Sequence, residues 1–262
     1  WNVAGNVYDL VDYQNANNSV RVPNDFMRAV EGDGKWQTKK VTNGEVVHEY
    51  DAKTLLRRIS ESAWFCGDPG MAFDTTTNEW HTCPNSGRIN ASNPCSEYLF
   101  LDDTACNLSS LNVLRFARGK DFAVEEFVHA CEIAIIAKEI IVDGAGYPSP
   151  LLKTMSHKFR TLGLGYTNLG TLLAFWGIPY DSNEGRGVAA ALTAIMCGAA
   201  YRQSAKLAQI LGPFEEYKKN EEPMLRVIKK HWEAAKRLPT PLERNWQTIT
   251  ETAVDLWAEA YA

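Results

Sequence analysis

The sequence predicts a mixed α and β fold, with strands early and helices late. Two observations carry this. Short alternating runs of polar and apolar residues crowd the first fifty positions, and long stretches of helical periodicity follow residue 123. The chain has 262 residues, 45% of them apolar, enough to bury a substantial core as one large domain or two small ones.

The first element is "NNSVRV" (17–22), which alternates as a short strand does. "VPNDFMRAV" follows as a short helix, with Asn24 or Asp25 placed to cap it. "KWQTKKV" and "EVVHEY" flank Thr42-Asn43-Gly44, and Asn-Gly between alternating runs signals a hairpin. Asp51 opens a helix whose apolar positions Leu55, Leu56, Ile59 and Ala63 share one face. That helix stops at "GDPGMAF", where Pro69-Gly70 suits a type II turn into a short buried strand. Residues 74–92 are polar and irregular. From Asn93 the chain reads as a loop, an alternating "YLFL", a turn at Asp102-Asp103 and a second run at "LSSLNVLRF".

In the second half, residues 123–142 form a long helix with Phe127, Cys131, Ala134 and Ile141 near one stripe. "RTLGLGYTNLGTLLAFWG" is a strand or tight turn entering a helix. Asp181 and Glu184 are spaced as a capping box for a long helix ending at Gly212-Pro213. A weaker helix runs from Pro223 to Lys236, and "NWQTITETAVDLWAEAYA" is helical to the last residue.

Net charge is −5 and the basic residues are dispersed, so neither a nucleic-acid groove nor a polybasic membrane patch is expected. A small anionic ligand needs only a few local donors. No stretch has the apolar length to span a bilayer. "WNVAGNVYDL" lacks a Met, a basic n-region and an apolar h-region, so it does not read as a signal peptide. Both ends read as cut, and the chain is expected to be a fragment of something longer. Six cysteines are too few for a disulfide scaffold in so long a chain, and no C-x-x-C occurs. His81-x-Cys83 with Cys66 matches no common metal-site spacing, so no metal site is expected. A reducing, cytoplasmic setting fits this cysteine usage.

Gly163-x-Gly165-x-x-Asn168 lacks the third glycine of a dinucleotide fingerprint, and "SHKFR" before it is no buried strand, so close helix packing is the preferred reading. Cys131 and Cys197 lie in apolar helices as core residues, and Cys66 reads as a core cysteine at a helix end. His129 does not share a helix face with Cys131, and His48, His157 and His231 stand alone. Cys95 differs. Asn93-Pro94 favours a turn, which presents Cys95 on a loop. If the segment is extended, Asn93, Cys95 and Glu97 point to one side, and an amide, a thiol and a carboxylate converge on one ligand. Glu97 then serves as a base if burial raises its pKa. The plainer alternative is a buried thiol in a turn, with Glu97 solvated.

N-x-C-x-E followed by "TACNLSSLN", with its Cys eleven residues beyond the first, resembles the catalytic subunit of ribonucleotide reductases. So do "NNSVRVPNDFMRAV", "WFCGDPGMAF", "GRINASNPCSE" and "FRTLGLGYTNLGTLLAFWG", in this order along most of the chain. The short spacing between the cysteines, "FLDDTACNLSSLN" and "GDPG" look most like the adenosylcobalamin (vitamin B12)-dependent class II family.

The resemblance implies a fold and a chemistry. The fold is a ten-stranded α/β barrel with a central finger loop, of which residues 1–262 would be a partial, helix-rich catalytic domain. The activity is that of a ribonucleoside-diphosphate reductase or its triphosphate counterpart, making 2′-deoxyribonucleotides for DNA synthesis. On the matching positions Cys95 is the transient thiyl radical, Glu97 takes the proton of the 3′ hydroxyl, and Asn93 bonds the ribose hydroxyls. Pro94 and Ser96 complete the substrate-binding loop. Cys106 is one of two thiols that end as a disulfide, its partner lying on an earlier strand that has no match upstream here. Implied companions are adenosylcobalamin, a ribonucleoside di- or triphosphate, nucleotide effectors, a thioredoxin-like reductant and a second copy in a homodimer. Two alternatives stand beside this: the large subunit of a class I enzyme, whose radical comes from a separate metal-bearing subunit, and a non-catalytic fragment.

Overall fold

A computed structural model describes residues 16–238 and 246–262, so the signal-peptide reading of residues 1–10 lies outside the described residues. The chain divides into two units. One takes the chain up to Trp80 together with Ile89–Leu99; the other takes His81–Arg88 and everything from Phe100.

In the first unit β1 (Ser19–Val22) leads through Pro23 into α1 (Asn24–Glu31). A hairpin of β2 (Lys35–Lys39) and β3 (Val46–Asp51) follows, then α2 (Ala52–Cys66), β4 (Gly70–Phe73) and α3 (Asp74–Glu79). β4 returns parallel to β1, from Ser19↔Gly70 to Val22↔Phe73. Phe26, buried on α1, meets the Trp36 ring edge-on at 5.3 Å, and Val22, Val30 and Ala52 complete this small core.

The cap expected from Asn24 or Asp25 is absent. Pro23 holds the cap position in extended backbone and its carbonyl accepts from the Phe26 and Met27 amides, so both polar residues already lie inside the helix. The hairpin forms around Gly44, whose φ of +74° is the left-handed conformation that glycine adopts freely. Its loop is four residues long, closed by Lys40 N–H donating to Glu45 O at 2.9 Å. Asp51 caps α2, accepting from the Thr54 amide at 2.8 Å, and Leu55, Leu56, Ile59 and Ala63 form its half-buried face. Cys66 corrects the core reading: it is exposed in the last turn, beyond that face, its thiol within reach of the Ser62 and Asp68 carbonyls. No type II turn follows, because Gly70 does not take the positive φ that such a turn requires and is already the first residue of β4. α3 corrects the irregular reading of residues 74–92 and ties down what comes next. Asp74 pairs with Arg21, Arg21 Nη2 donates to Ile89 O at 2.8 Å, and Asn78 exchanges two hydrogen bonds with the Ile89 backbone.

The second unit begins its regular structure with β5 (Asn107–Asn112) and a 3-10 turn at Val113–Phe116. The two-residue strands β6 (Ala117–Arg118) and β7 (Asp121–Phe122) precede α4 (Val124–Gly144) and α5 (Pro150–Phe159). Then come β8 (Leu162–Thr167), α6 (Leu169–Trp176), α7 (Asn183–Leu211), α8 (Tyr217–Ala235) and α9 (Trp246–Tyr261). β8 pairs parallel with β5 from Asn107↔Leu162 to Asn112↔Thr167, and α4 and α5 form the crossover that a parallel pair requires.

The stripe of α4 runs Phe127, Cys131, Ile135, Lys138 and Val142, all buried, while Ile141 is exposed. At about 100° per residue Ile141 sits roughly a quarter turn off the stripe's centre. Its core merges with Leu172 and Leu173 of α6, Val188, Leu192 and Ile195 of α7, and Trp246, Ile249 and Leu256 of α9. Gly198 lets α9 come close: a Cβ there would stand 3.0 Å from Leu256 Cβ. The cap of α7 is Ser182, accepting from the Gly185 amide at 3.0 Å, and not the Asp181–Glu184 box; Asp181 instead pairs with exposed Arg186. α8 starts earlier than Pro223 and contains it. Proline cannot donate to the Lys219 carbonyl, and Asn85 Nδ2 does so instead at 2.7 Å.

The fold is thus α/β and rich in helix. Its strands form four separate two-stranded sheets among the described residues, with no closed sheet. No described helix is long and apolar enough to cross a membrane.

Candidate functional site

Ile89–Leu99 belongs to the first unit, anchored at Ile89 by α3 and Arg21. Downstream the chain makes a tight turn. The Ser96 amide donates to Asn93 O at 3.0 Å, which places Pro94 and Cys95 at the two central positions. The fixed φ of proline suits the first of these. Ser96 takes a left-handed φ of +63°, and its hydroxyl lies 3.4 Å from that of Ser92. Tyr98 closes the loop twice: Asn93 N–H donates to its carbonyl at 3.3 Å, and its amide donates to Asn93 Oδ1 at 2.9 Å.

This geometry corrects the extended reading. Asn93, Cys95 and Glu97 do not alternate along a strand; they belong to one turn with Cys95 near its apex. Cys95, Pro94 and Glu97 are exposed, and Asn93 and Ser96 are half-buried. "YLFL" forms no strand, since Tyr98 uses its backbone groups on Asn93. The Asn93 side chain is oriented by its own loop. With Oδ1 receiving the Tyr98 N–H, Nδ2 is the group of this amide that can donate to a ligand. Burial, the condition under which Glu97 becomes an effective base, is not met in this chain.

Cys106 lies in the second unit, half-buried, one residue before β5. Its neighbours fix it on both sides. Ala105 N–H donates to Ser156 Oγ at 3.0 Å and Ala105 O accepts from Thr161 Oγ1 at 2.6 Å, while Asn107 Nδ2 donates to Lys138 O at 3.3 Å. β8 passes so close that a Cβ on Gly163 would stand 2.6 Å from Cys106 Sγ. Gly163 and Gly165 therefore serve a close approach of β8 to β5 and not to a helix, since a Cβ on Gly165 would meet Ser110 Oγ at 3.3 Å.

Lys138 went unnoticed in the sequence. It is 2% exposed, its Nζ donates to Gly163 O at 2.6 Å, and burial pulls its pKa down to about 8. The available signal was a lysine on the apolar stripe of α4, four places before Val142 and seven after Cys131.

The remaining candidates resolve into packing. Burial pushes the Cys131 thiol up to about 12 and those of Cys83 and Cys197 up to about 11. His81 takes the Cys83 N–H at Nδ1, 3.2 Å, and faces Gly87 O with Nε2, 3.1 Å, so neither ring nitrogen is left for a metal. Among the described residues no group of three His, Cys, Asp or Glu side chains could hold a metal ion.

Comparison with known proteins bears on most of the chain. A family model described as "Ribonucleotide reductase, barrel domain" matches residues 6–255. A protein of Rhodopirellula baltica named vitamin B12-dependent ribonucleotide reductase is 49% identical over 261 residues, covering 98% of this chain and 25% of the relative. A Streptomyces avermitilis protein of the same name is 46% identical, covering 97% of this chain and 27% of the relative. A third of that name, from Bradyrhizobium diazoefficiens, is 51% identical over 87% of this chain and 18% of the relative. The chain thus spans about a quarter of the length of the curated relatives it matches.

Proposed function

This chain belongs to the ribonucleotide reductase barrel-domain family, and from that premise we propose that it is part of the catalytic barrel of a vitamin B12-dependent ribonucleotide reductase. Residues 1–262 contribute one portion of a ten-stranded barrel, and the turn at Asn93–Glu97 is its finger loop. The reaction converts a ribonucleoside di- or triphosphate to its 2′-deoxy form. The names of the relatives favour the cobalamin class over a class I large subunit. The observation that carries the reading is the exposed Cys95 thiol, held near the apex of a turn that Asn93 and Tyr98 clasp twice.

Adenosylcobalamin, when bound, would supply the initiating radical chemistry, and Cys95 is the residue whose exposed S–H would meet it. The described residues fit it at that one point, an accessible S–H on a braced turn; none is assigned to the corrin ring. The Cys95 thiyl then removes the 3′ hydrogen of the ribose, a reversible exchange because S–H and ribose C–H bonds are close in strength. Glu97 accepts the proton of the 3′ hydroxyl while a thiol of the reducing pair protonates the 2′ hydroxyl, which leaves as water. The pair gives two electrons to C2′ and ends as a disulfide, Glu97 returns its proton, and Cys95 gives its hydrogen back to C3′. Asn93 Nδ2 donates to the ribose hydroxyls, and Pro94 and Ser96 shape the loop against the substrate. Closing the site over Glu97 excludes water and makes the carboxylate a better base. Cys106 supplies one of the two reducing thiols, and a thioredoxin-like dithiol restores it. Nucleotide effectors and a second copy are the remaining partners.

The test uses the full-length enzyme carrying this segment, with adenosylcobalamin, a dithiol and 3′-tritiated substrate. Cys95→Ser should abolish both tritium release and product, because an O–H bond is too strong to exchange its hydrogen as a thiol does. Cys106→Ser should still release tritium but give no sustained deoxynucleotide. Tritium exchange by Cys95→Ser, or normal turnover by Cys106→Ser, overturns the assignment.

A further inference from the structure

We propose that Lys138 is a positioning residue for the reducing thiol: its buried ammonium stabilises Cys106 as a thiolate whenever the disulfide to that sulfur breaks. This rests on the reading of Cys106 as a redox thiol.

The two side chains meet at one residue. Lys138 Nζ donates to Gly163 O, and the Cα face of Gly163, which carries no Cβ, is what leaves room for Cys106 Sγ. The backbone repeats the link, since Asn107, next to Cys106, donates to Lys138 O. One neutral carbonyl does not offset the burial of an ammonium, and an apolar residue on this stripe would cost less. A buried lysine is accounted for if an anion forms beside it.

Two titratable groups act on Lys138 electrostatically: Cys106, from the strand packed against α4, and Cys131, on α4 itself. Both draw its pKa upward against the effect of burial. Cys131 is fully buried with its thiol pushed up to about 12, so it stays neutral in this range. The anion is therefore supplied by Cys106, which is only half-buried. The other charges along this part of α4 are engaged elsewhere, Glu139 and Asp143 with Arg160.

The step balances with a dithiol as reductant. A thiolate of the reductant attacks the partner sulfur of the Cys106 disulfide. The S–S bond breaks, the electron pair goes to Cys106 Sγ, and a mixed disulfide joins reductant and partner. The second thiol of the reductant, after losing its proton to solvent, displaces the partner as a thiolate; the reductant ends as a disulfide, two electrons having passed to the pair. Both leaving thiolates take protons from solvent. Lys138 lowers the energy of the Cys106 leaving group and is itself unchanged.

The test is the pH profile of Cys106 alkylation by iodoacetamide in the reduced full-length enzyme carrying this segment, read by peptide mass spectrometry, with near-UV circular dichroism as a check on folding. Lys138→Met should move the apparent pKa of Cys106 up by a unit or more, slowing alkylation about tenfold at pH 7. Lys138→Arg should recover most of that loss. An unchanged profile in Lys138→Met overturns the proposal. If Lys138→Met does not fold, the reciprocal effect is measured by following the Lys138 13Cε resonance against pH in the wild type and in Cys106→Ser. Loss of the thiol should lower the Lys138 pKa, because coupling between two sites is mutual; no change overturns the proposal. The two readings fail separately. Normal turnover by Cys106→Ser in the full-length enzyme removes the redox role and leaves the coupling intact, whereas an inactive Cys106→Ser without coupling removes only the role of Lys138.

Discussion

The two units carry their chemistry on different kinds of support. In the first, four residues, Val22, Phe26, Val30 and Ala52, form the buried core, and the Cys95 turn is held by backbone hydrogen bonds and one amide side chain. In the second, a cluster continuous across α4, α6, α7 and α9 backs the β5–β8 pair, and Cys106 lies against Gly163, whose carbonyl accepts from the buried Lys138. The difference suits the two proposed roles. A radical thiol has to be reached by partners from outside its loop, so it stands exposed on a short braced turn. A reducing thiol needs its charge managed, and that takes a packed interior.

The steepest loss of stability should come from the helical core. Leu192 is completely buried among α4, α6 and α9 residues. Leu192→Ala should lower unfolding free energy by about 2–5 kcal/mol, read from urea denaturation. A loss below about 1 kcal/mol would mean that the second unit is not the rigid support described.

Gly163→Ala tests the packing at the thiol itself. The new methyl would lie 2.6 Å from Cys106 Sγ and 2.7 Å from Leu108 Cδ2. Overpacking of this kind costs about 1–3 kcal/mol. Adding Cys106→Ala should return part of the loss, because the two positions share one space. Independent, additive effects would show that the strand is not pressed on the sulfur.

On the loop the expected effect is smaller and local. Asn93→Ala removes the acceptor of the Tyr98 amide, a bond worth about 0.5–1.5 kcal/mol. Hydrogen exchange at Tyr98 should quicken several-fold, while the global unfolding free energy from urea denaturation changes by less than about 0.5 kcal/mol. A global loss as large as that of Leu192→Ala would erase the distinction between the two supports.

Sequence and structure agree where the physics is local. Asn43-Gly44, the Asp51 cap, the Gly212 stop and the long helices are legible because backbone preference and periodicity act over a few residues. Cys95 on a turn was legible from Asn93-Pro94 for the same reason. The misses follow from contacts that pattern does not carry. Ser182, one place from the expected box, takes the cap of α7, and Asn85, far away in sequence, supplies the donor that lets Pro223 sit inside α8. The parallel pairing of β5 with β8 was not legible either, and with it went the meeting of Gly163, Cys106 and Lys138.

A further, small effect concerns His81, in the segment of the second unit whose His-x-Cys spacing matches no common metal site. Its Nδ1 accepts the Cys83 N–H, so the ring is held as the neutral tautomer with its proton on Nε2, facing Gly87 O. Protonation would set a second N–H against the Cys83 amide in a buried site, where the Phe100 ring stands edge-on at 5.6 Å. Burial accordingly lowers the pKa of His81 below its ordinary value. The sign follows from proton counting: as pH falls below about 6.5, the unfolded chain binds a proton that the folded chain refuses. Stability from this group is present above that pH and is lost as pH falls toward the folded-state value. His231, stacked on Trp257 and also lowered by burial, adds a loss of the same sign. The urea midpoint should therefore drop between pH 7.5 and pH 5.5, and His81→Gln should flatten part of that slope, with His231, and Lys138 near the upper end of the interval, contributing to the rest. A midpoint that holds steady over this interval, or a slope untouched by His81→Gln, would show that the His81 ring is not locked neutral between Cys83 and Gly87.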